Sequence, residues 1–438
     1  MNIKPFPPRP ILAQYQKQAR DLVKGFKSAD AGTTRLIRRY HPRLPGRPNT
    51  NDRNPVSDLK IRRVKLDLAD AQFIIARAHQ FENWSRFVRH IEALARKESS
   101  VAQFEAAVDA IVAGDLITLK RLLRNNPDLI RARSTREHRA TLLHYIGANA
   151  VEDYRQKTPR NAVKGAEILL KAGAEVDADL DYGPMQKYYP ERNGSTTLGL
   201  VATSCHPAVA GVQIPLLDIL LKYGASVDGI PGGWNPLIAA LHNGRGQAAA
   251  HLAKHGARLD LEGAAGVGRI DVVKSFFNRD GSMKPNATKA QMEAGLMWAC
   301  EYGHARVVDF LLEKGVDVAA QPQGETGLHW ASYAGHARVV KSLLKWKAPV
   351  NPKDQRFVGT PLGWALYGWC NRPLGADPGG YYEVVARLVA AGATVEQNWL
   401  ALRIEDCPCC AKCVPTVACG RRSKLLWLAN DRDVAWIH

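Results

Sequence analysis

The sequence predicts an all-α solenoid of about eight helix-turn-helix units, preceded by a helical cap at the N-terminus. Residues 294–312 and 326–344 align without a gap at an offset of 32 residues, and both read Gly-Leu-x-Trp-Ala, then Gly-His-Ala-Arg-Val-Val, then Leu-Leu. A turn glycine also follows an apolar helical seam eight times along the chain at a similar spacing. Such a period is typical of repeats that bury their apolar faces only against their neighbours.

The composition is that of a soluble protein. The chain has 438 residues, of which 46% are hydrophobic and 23% charged, and it contains no run of 18 or more apolar residues. Prolines follow Met1 closely, so the N-terminus lacks a basic-then-apolar leader. We therefore expect neither a membrane span nor a secretion signal, and we expect a cytoplasmic protein. Cys205, Cys300 and Cys370 lie singly in helical patterns, which predicts reduced core thiols.

Residues 1–100 form a basic region without repeats, and they hold 21 Lys and Arg against 9 Asp and Glu. Apolar spacing predicts a helix over 11–27 and a loop over 41–55. Asp70 is expected to cap a further helix, and a turn at 82–83 leads to another. We expect a small helical cap.

Residues 101–396 carry the repeats, each of which reads as helix, turn, helix and loop. Their recognisable segments are 104–123, 140–177, 195–228, 235–260, 268–273, 294–312, 326–344 and 359–395. In the seventh unit the second helix is expected to bury Val339, Val340, Leu343 and Leu344 in the core between repeats.

The repeat pattern resembles that of ankyrin repeats. Its fullest copies contain a Gly-x-Thr-Pro-Leu-like opening, a Gly-His turn, paired Val-Val and Leu-Leu positions, and a closing Gly-Ala pair. The resemblance covers about residues 104–396, and the order of cap and insertions is also similar to that of bacterial ankyrin proteins of unassigned role. It implies a helical solenoid whose concave groove binds another protein.

The residues at the helix ends suit this fold. The Thr360 hydroxyl can accept an orphan backbone N–H at a helix start, and an imidazole at His144 or His329 can bridge the opening turn and the neighbouring unit. Gly303 and Gly335 are expected to end first helices in a left-handed conformation. The same conformation is expected where second helices end, at Gly173, Gly224, Gly256 and Gly392.

Several positions depart from the family pattern. Gly295 and Gly327 stand where the family has a helix-starting proline, which predicts looser turns there. Insertions near 151–164, 205–212 and 370–380 lengthen the connections inside three units. Such loops often carry specific contacts.

The resemblance implies that the positions before the turn glycines face the concave groove. The candidate protein-binding residues at and near these positions are Tyr302, Glu301, Tyr333, His242, Asn243 and Tyr367. Trp298, Trp330 and Trp364 occupy one equivalent position in three repeats and allow two interpretations, an internal packing ladder or an aromatic binding groove. Exposed aromatic residues are common hot spots at interfaces.

No catalytic or cofactor-binding motif stands out. The sequence has no phosphate loop, nucleophile elbow or HExxH motif, and the glycine-rich stretch 263–268 lies inside a repeat, where we expect helix packing. His304 and His336 occur one repeat apart in identical local context, which predicts a structural role. We expect a protein that is not an enzyme and that needs no cofactor.

The basic region provides an alternative function. Its helix pair over 70–97 invites comparison with a helix-turn-helix, so nucleic-acid association is the second hypothesis. However, Trp84, Phe87 and Ile91 on the second helix are expected to pack in the core. The first hypothesis remains binding of another protein by a monomer, without contact with a membrane.

Residues 397–438 form a cysteine-rich tail, which we expect to be irregular or to represent an out-of-frame end of the gene. Thiolates at such density can bind zinc, and the weak candidate ligands are Cys407, Cys409, Cys410 and Cys413. Because Pro408 restrains the backbone and no second Cys-x-x-Cys pair follows, we expect no metal site.

Overall fold

The structure is a computed structural model. The residues that it describes are 6–7, 10–28, 30–41, 65–181 and 195–395. They fall into two compact units, which divide between Ala239 and Ala240. The described residues contain helices and isolated β-bridges but no β-strand. The predicted all-α fold class is therefore confirmed.

Four helices form the N-terminal part of the first unit: Leu12–Lys27, Ala31–Tyr40, Leu68–Ala78 and Trp84–Ala95. Three of them agree with the apolar spacing of the sequence. The helix Ala31–Tyr40 was not predicted from the sequence. Its N-terminus is capped by the Asp30 carboxylate, which accepts a hydrogen bond from the Thr33 amide at 2.7 Å. Apart from His41, the predicted loop over 41–55 lies outside the described residues.

The expected helix start at Asp70 is wrong by one turn. The Asp67 carboxylate accepts from the Asp70 amide at 2.8 Å, and the Asp70 carboxylate accepts from the Asp67 amide at 3.3 Å. This reciprocal capping box places Asp70 inside the helix, which begins at Leu68. The predicted start at the next helix is right, since the Asn83 side chain accepts from the Arg86 amide at 2.9 Å.

The N-terminal helices enclose an aromatic and aliphatic core. Tyr15, Ile74, Phe81, Phe87 and Ile91 are all at most 4% exposed. The Tyr15 and Phe87 rings meet edge to face at 5.0 Å, an arrangement favoured by the quadrupoles of the two rings. The buried face of the helix Trp84–Ala95 packs in this core, as the sequence predicts for Phe87 and Ile91.

The first unit continues with the helices of the first three repeats. The α-helices are Ser100–Ala113, Leu116–Asn125, Ala162–Lys171, Thr197–Thr203, Cys205–Val209 and Gln213–Lys222, and 3-10 turns span Pro127–Ile130, Leu143–Gly147 and Asp153–Arg155. The second repeat departs from the predicted pattern because its first helix is only the 3-10 turn Leu143–Gly147. The left-handed Ala148, with φ of 47°, ends this turn just before the insertion.

The insertion of the third repeat folds as a short helix, Cys205–Val209, and is tied to its repeat by one amide. The Gln213 side chain donates to the carbonyl oxygens of Val201 at 2.9 Å and of Ala202 and Ser204 at 3.2 Å. A buried polar group held in this way fixes the connection firmly.

The second unit contains the remaining repeats, and the helix Pro236–His242 spans the boundary with the first unit. The helices that follow are Gly246–Lys254, Leu261–Gly266, Ile270–Ser275, Lys289–Glu301, Ala305–Glu313, Gly327–Tyr333, Ala337–Lys345, Pro361–Cys370 and Tyr381–Ala390. The helices Ala305–Glu313 and Ala337–Lys345 keep the 32-residue offset at both ends. The glycine-rich stretch 263–268 lies in a helix and the turn after it, as predicted.

Left-handed glycines terminate the helices at the predicted positions. The first-helix glycines Gly303 and Gly335 have φ values of 79° and 76°. Those that follow second helices, Gly173, Gly224, Gly256 and Gly392, have φ values of 90° or 91°. A side chain at these positions would introduce backbone strain, so glycine is required for each change of direction.

The expectation of looser turns at Gly295 and Gly327 is wrong. Gly295 lies inside a helix that already begins at Lys289, where Thr288 and Gln291 form a capping box. A β-carbon there would lie 2.9 Å from the β-carbon of Ala265. At Gly327 a β-carbon would lie 2.8 Å from the Cys300 sulfur, so both glycines permit close helix packing.

The second helices bury most of the predicted seam. Val339, Val340 and Leu343 have no exposed surface, whereas Leu344 is only half-buried, so the prediction fails at that residue. The prediction of core thiols also holds only in part. Cys300 is buried, Cys205 is half-buried and Cys370 is exposed at the end of its helix.

Candidate protein-binding surface

In the second unit, the first helices of the fourth, sixth, seventh and eighth repeats end at or near candidate binding residues. His242, Glu301 and Tyr333 are the last residues of their helices, and Tyr367 lies within the last turn of Pro361–Cys370. Because the repeats share one geometry, these side chains occur at similar places in neighbouring repeats. Asn243 follows His242 and is half-buried.

His242 belongs to a polar cluster that also contains Glu262 and Trp298. The indole Nε1 of Trp298 donates to Glu262 Oε1 at 2.8 Å, and His242 Nε2 lies 3.3 Å from the same oxygen. The rings of His242 and Trp298 are 4.7 Å apart. Burial raises the pKa of Glu262, but the bonds from His242 and Trp298 outweigh it, so this pKa lies below its ordinary value. The cluster therefore holds an ionised carboxylate beside an imidazole edge.

Tyr302, in the sixth repeat, is half-buried and bonded to the fourth repeat. Its hydroxyl donates to the carbonyl oxygen of Leu241. A β-carbon at Gly246 would lie 2.6 Å from the Tyr302 ring, so the ring passes close over that glycine. Burial raises the pKa of the Tyr302 hydroxyl well above its ordinary value. Only part of this side chain is available to a partner.

Glu301 is a carboxyl group without full hydrogen bonding. Its Oε2 is buried and has no hydrogen-bond partner among the described residues. Burial raises its pKa to about 8, and the neighbouring Tyr302 hydroxyl and Arg245 guanidinium offset only part of that cost. Glu301 is thus largely protonated at neutral pH, in contrast to an ordinary surface glutamate.

The expectation of an exposed side chain is wrong for Tyr333. It is 7% exposed, and its ring lies 5.8 Å from that of Trp364 and 6.3 Å from that of Tyr367. The Tyr381 hydroxyl donates to the Tyr333 carbonyl oxygen at 2.7 Å. The aromatic residues of the eighth repeat therefore cover Tyr333, whereas Tyr367 remains half-buried.

The three repeated tryptophans have different environments. Trp298 is 2% exposed and fits the packing interpretation. Trp330 and Trp364 are half-buried, and their rings meet at 5.1 Å with an interplanar angle of 75°. The Trp330 Nε1 is buried without a hydrogen-bond acceptor among the described residues. An aromatic ladder thus exists between the seventh and eighth repeats, with part of its area open.

Asp354, which was not predicted from the sequence, holds this ladder in place. The Asp354 carboxylate is 2% exposed and accepts from the Gly359 amide at 2.7 Å and from Trp364 Nε1 at 3.0 Å. An aspartate five residues before the Gly-Thr-Pro-Leu opening of a repeat is the local signal that could have found it.

The repeat histidines have structural roles. His329 Nδ1 accepts from the Thr326 amide at 3.1 Å, and its Nε2 lies 3.2 Å from the Gly359 carbonyl oxygen. His144 makes the same contacts in the first unit, with the Thr141 amide and the Ala178 carbonyl. In the second unit His304 and His336 likewise bond to carbonyl oxygens, those of Gly266 and Glu301. Burial lowers the pKa of all four imidazoles, which keeps them neutral.

A buried ionic network in the first unit was also not predicted from the sequence. Arg136 Nε lies 2.6 Å from Glu152 Oε1, Arg136 Nη1 lies 2.5 Å from Glu105 Oε1, and Arg155 Nη1 lies 2.6 Å from Glu105 Oε2. Burial raises the pKa of Glu105, but the two arginines outweigh it and bring it to about 2. These carboxylates stay ionised and hold the insertion over 151–164 in place.

The predicted tail ligands Cys407, Cys409, Cys410 and Cys413 lie outside the described residues. Among the helices that the structure describes, none combines the length and apolarity of a bilayer crossing.

Comparison with known proteins identifies the repeats. Residues 261–354 match a family model that describes ankyrin repeats in three copies. These units are ankyrin repeats. The match includes the helices that carry Glu262, Trp298, Glu301 and Tyr333. The prediction of ankyrin repeats is therefore confirmed for residues 261–354, and ankyrin repeats are in general modules of protein-protein interaction.

Among solved structures, the chain is similar to the crystal structure of the human ASB11 ankyrin repeat domain, with 18% sequence identity and a TM-score of 0.34. The alignment covers 66% of this chain and 99% of the human domain. No sequence of a curated protein matches the chain significantly.

Proposed function

We propose that this protein is a non-catalytic ankyrin-repeat scaffold that binds another protein through its helix-end surface. We define this surface by the predicted residues that are not covered and the ladder beside them: His242, Asn243, Glu301, Tyr302, Tyr367, Trp330 and Trp364. The observation that carries the proposal is the recurrence of half-buried aromatic and polar side chains at the helix ends of neighbouring repeats.

The chemistry of the helix-end surface suits a protein partner. Tyrosine and tryptophan supply large contact areas with a polar atom at one edge, and they are enriched among interface hot spots. Trp330, Trp364 and Tyr367 are half-buried, so a partner can still cover part of each ring.

An inserted loop borders the same surface. In the insertion over 370–380, the Asp377 amide donates to the Ala334 carbonyl oxygen at 2.9 Å, directly after Tyr333. A loop beside a rigid repeat array can add contacts specific to one partner. We propose that this insertion contributes to selectivity, while the helix ends supply most of the affinity.

Two features favour a scaffold over an enzyme. The repeat histidines bond to backbone groups, and the buried glutamates of the first unit pair with arginines. Groups occupied in this way are poorly placed to transfer protons to a substrate.

Quantitative affinity capture from a lysate of the source cell tests the proposal. The baits are the full chain, Tyr367→Ala and His242→Ala, with Arg338→Ala and Lys341→Ala as controls. Both control residues are exposed on the second helix Ala337–Lys345. We expect one set of proteins to bind the full chain and both controls, and to be depleted at least about tenfold on the surface variants.

Two results would contradict the proposed binding surface. Equal recovery on all five baits would place the interaction elsewhere on the chain. Loss of recovery on the control variants alone would assign it to the second helices.

A further inference from the structure

The first unit contains a basic cavity that the proposed function does not use. It has a volume of about 310 Å³ and is lined by Arg86, Arg89, His90, Val101 and Thr135. The helix Trp84–Ala95 supplies three of these residues, and the helix that begins at Ser100 and the segment after Arg133 supply the others.

The charged groups at the cavity are cationic. Arg86 is 55% exposed and contacts Glu82 through Nε at 2.9 Å, and Arg89 donates through Nε to the Ser85 carbonyl oxygen at 3.4 Å. Both contacts use Nε, so the outer edge of each guanidinium fork can bond to other acceptors. Arginine forks bind carboxylates and phosphates with two parallel hydrogen bonds.

The floor of the cavity orients a hydroxyl group. His90 is 2% exposed, its Nδ1 lies 2.7 Å from Thr135 Oγ1, and its Nε2 is buried with no hydrogen-bond partner among the described residues. An unpaired imidazole lone pair is less costly than an unpaired N–H, so the proton belongs on Nδ1. His90 then donates to Thr135, whose own hydroxyl proton is free to bond to an anion in the cavity.

The surroundings keep His90 neutral in this role. Burial is the largest influence, and together with the positive charge of Arg136 it lowers the pKa of His90 to about 3. Arg155 acts in the same direction, whereas Glu105 and Glu152 oppose it. The Phe81 ring, 4.8 Å from the imidazole, fixes the ring plane.

We propose that this cavity binds the phosphate group of a small phosphomonoester. The Arg89 guanidinium supplies a positive charge, the Arg86 guanidinium adds hydrogen-bond donors while it also pairs with Glu82, and the Thr135 hydroxyl adds a further donor. Ligand sites for small molecules begin at roughly 300 Å³, so the cavity accommodates a phosphate with a modest organic group. Val101 provides an apolar contact for that group.

Titration calorimetry on the full chain at constant ionic strength tests the proposal. The ligands are inorganic phosphate, phosphoserine and adenosine monophosphate, with serine and adenosine as the matched ligands without phosphate. We expect saturable binding of a phosphomonoester with a Kd below about 1 mM, and no binding of its matched control.

Variants locate the site. Arg89→Gln and Thr135→Ala should weaken binding, the former by about tenfold or more, because a charge-assisted hydrogen bond is lost. Thr135→Ser should restore it, because the hydroxyl returns. Arg124→Gln removes an equal charge from an exposed position on the helix Leu116–Asn125 and should leave the Kd unchanged. Circular dichroism verifies that each variant is folded.

Three outcomes would overturn the proposal. One is the absence of saturable binding by every phosphomonoester below about 10 mM. Another is equal weakening by Arg89→Gln and Arg124→Gln, which would indicate nonspecific attraction to a basic protein. The third is tight binding of a single-stranded oligonucleotide that Arg89→Gln abolishes while phosphomonoesters fail to bind, which would assign the cavity to a nucleic-acid backbone.

Discussion

Replacing Arg136 with methionine should destabilise the first unit by about 3–5 kcal/mol at neutral pH. Methionine keeps much of the length of the side chain but removes the charge that faces Glu105 and Glu152. Arg136 is 1% exposed, so water cannot replace the lost hydrogen bonds without a rearrangement of the core. Arg155 remains and contacts both glutamates.

The pKa of Glu105 agrees with the direction of this prediction. Arg136 and Arg155 outweigh the cost of burial and lower this pKa from its ordinary value of 4.5 to about 2. Because the folded state lowers this pKa, the stabilisation is present above pH 4.5 and is lost as the pH falls towards 2. Without Arg136 the pKa of Glu105 should rise. The difference in stability between wild type and Arg136→Met should therefore shrink below pH 4.5.

Urea denaturation followed by circular dichroism at pH 7 and pH 3.5 measures this difference. Hydrogen exchange with mass spectrometry at pH 7 locates it, with peptides from 327–345 in the second unit as the internal reference. Arg124→Met is the matched control, and a change at this exposed site should stay within about 0.5 kcal/mol. A cost for Arg136→Met below about 1 kcal/mol, or one that is equal at both pH values, would refute this explanation of the network.

The remaining predictions concern the second unit. Leu343→Ala should cost about 2–5 kcal/mol because Leu343 is fully buried, and a cost no greater than that of the half-buried Leu344→Ala in urea melts would contradict the packing. Tyr333→Ala should cost about 3–5 kcal/mol, whereas Tyr367→Ala should cost about 1 kcal/mol or less, and the reverse order would mean that the covering rings are wrongly placed. Glu301→Gln should match wild type at pH 4.5 and exceed its stability at pH 9 by about 1–3 kcal/mol, because a raised pKa makes ionisation of the folded state unfavourable. Equal pH profiles for the two proteins would show that Glu301 is solvated.

Signals close together in the sequence predict the repeat framework well. Thr360 caps a helix because its hydroxyl lies three residues before the Gly363 amide that it binds, and such spacing is visible in the sequence. Left-handed glycines such as Gly303 are equally local. The early start of the helix Lys289–Glu301 was missed, although Thr288 and Gln291 show the spacing of a capping box.

The features that the sequence does not predict depend on contacts between residues far apart in the chain. Arg136 and Glu105 are 31 residues apart, and no periodic pattern links them. Tyr333 and Glu301 hold equivalent places in their repeats, yet Tyr333 is more deeply buried because Trp364 and Tyr367 lie against it. The sequence therefore predicts which positions form the surface but not how much of each side chain the next repeat covers.

Hydrogen exchange of the full chain with and without a captured partner tests most directly whether the helix ends of the second unit bind a protein. We expect slower exchange in peptides that cover 240–246, 298–304 and 364–370, with unchanged exchange in 337–345. Protection confined to 337–345 or to the first unit, with none at the three helix ends, would contradict it.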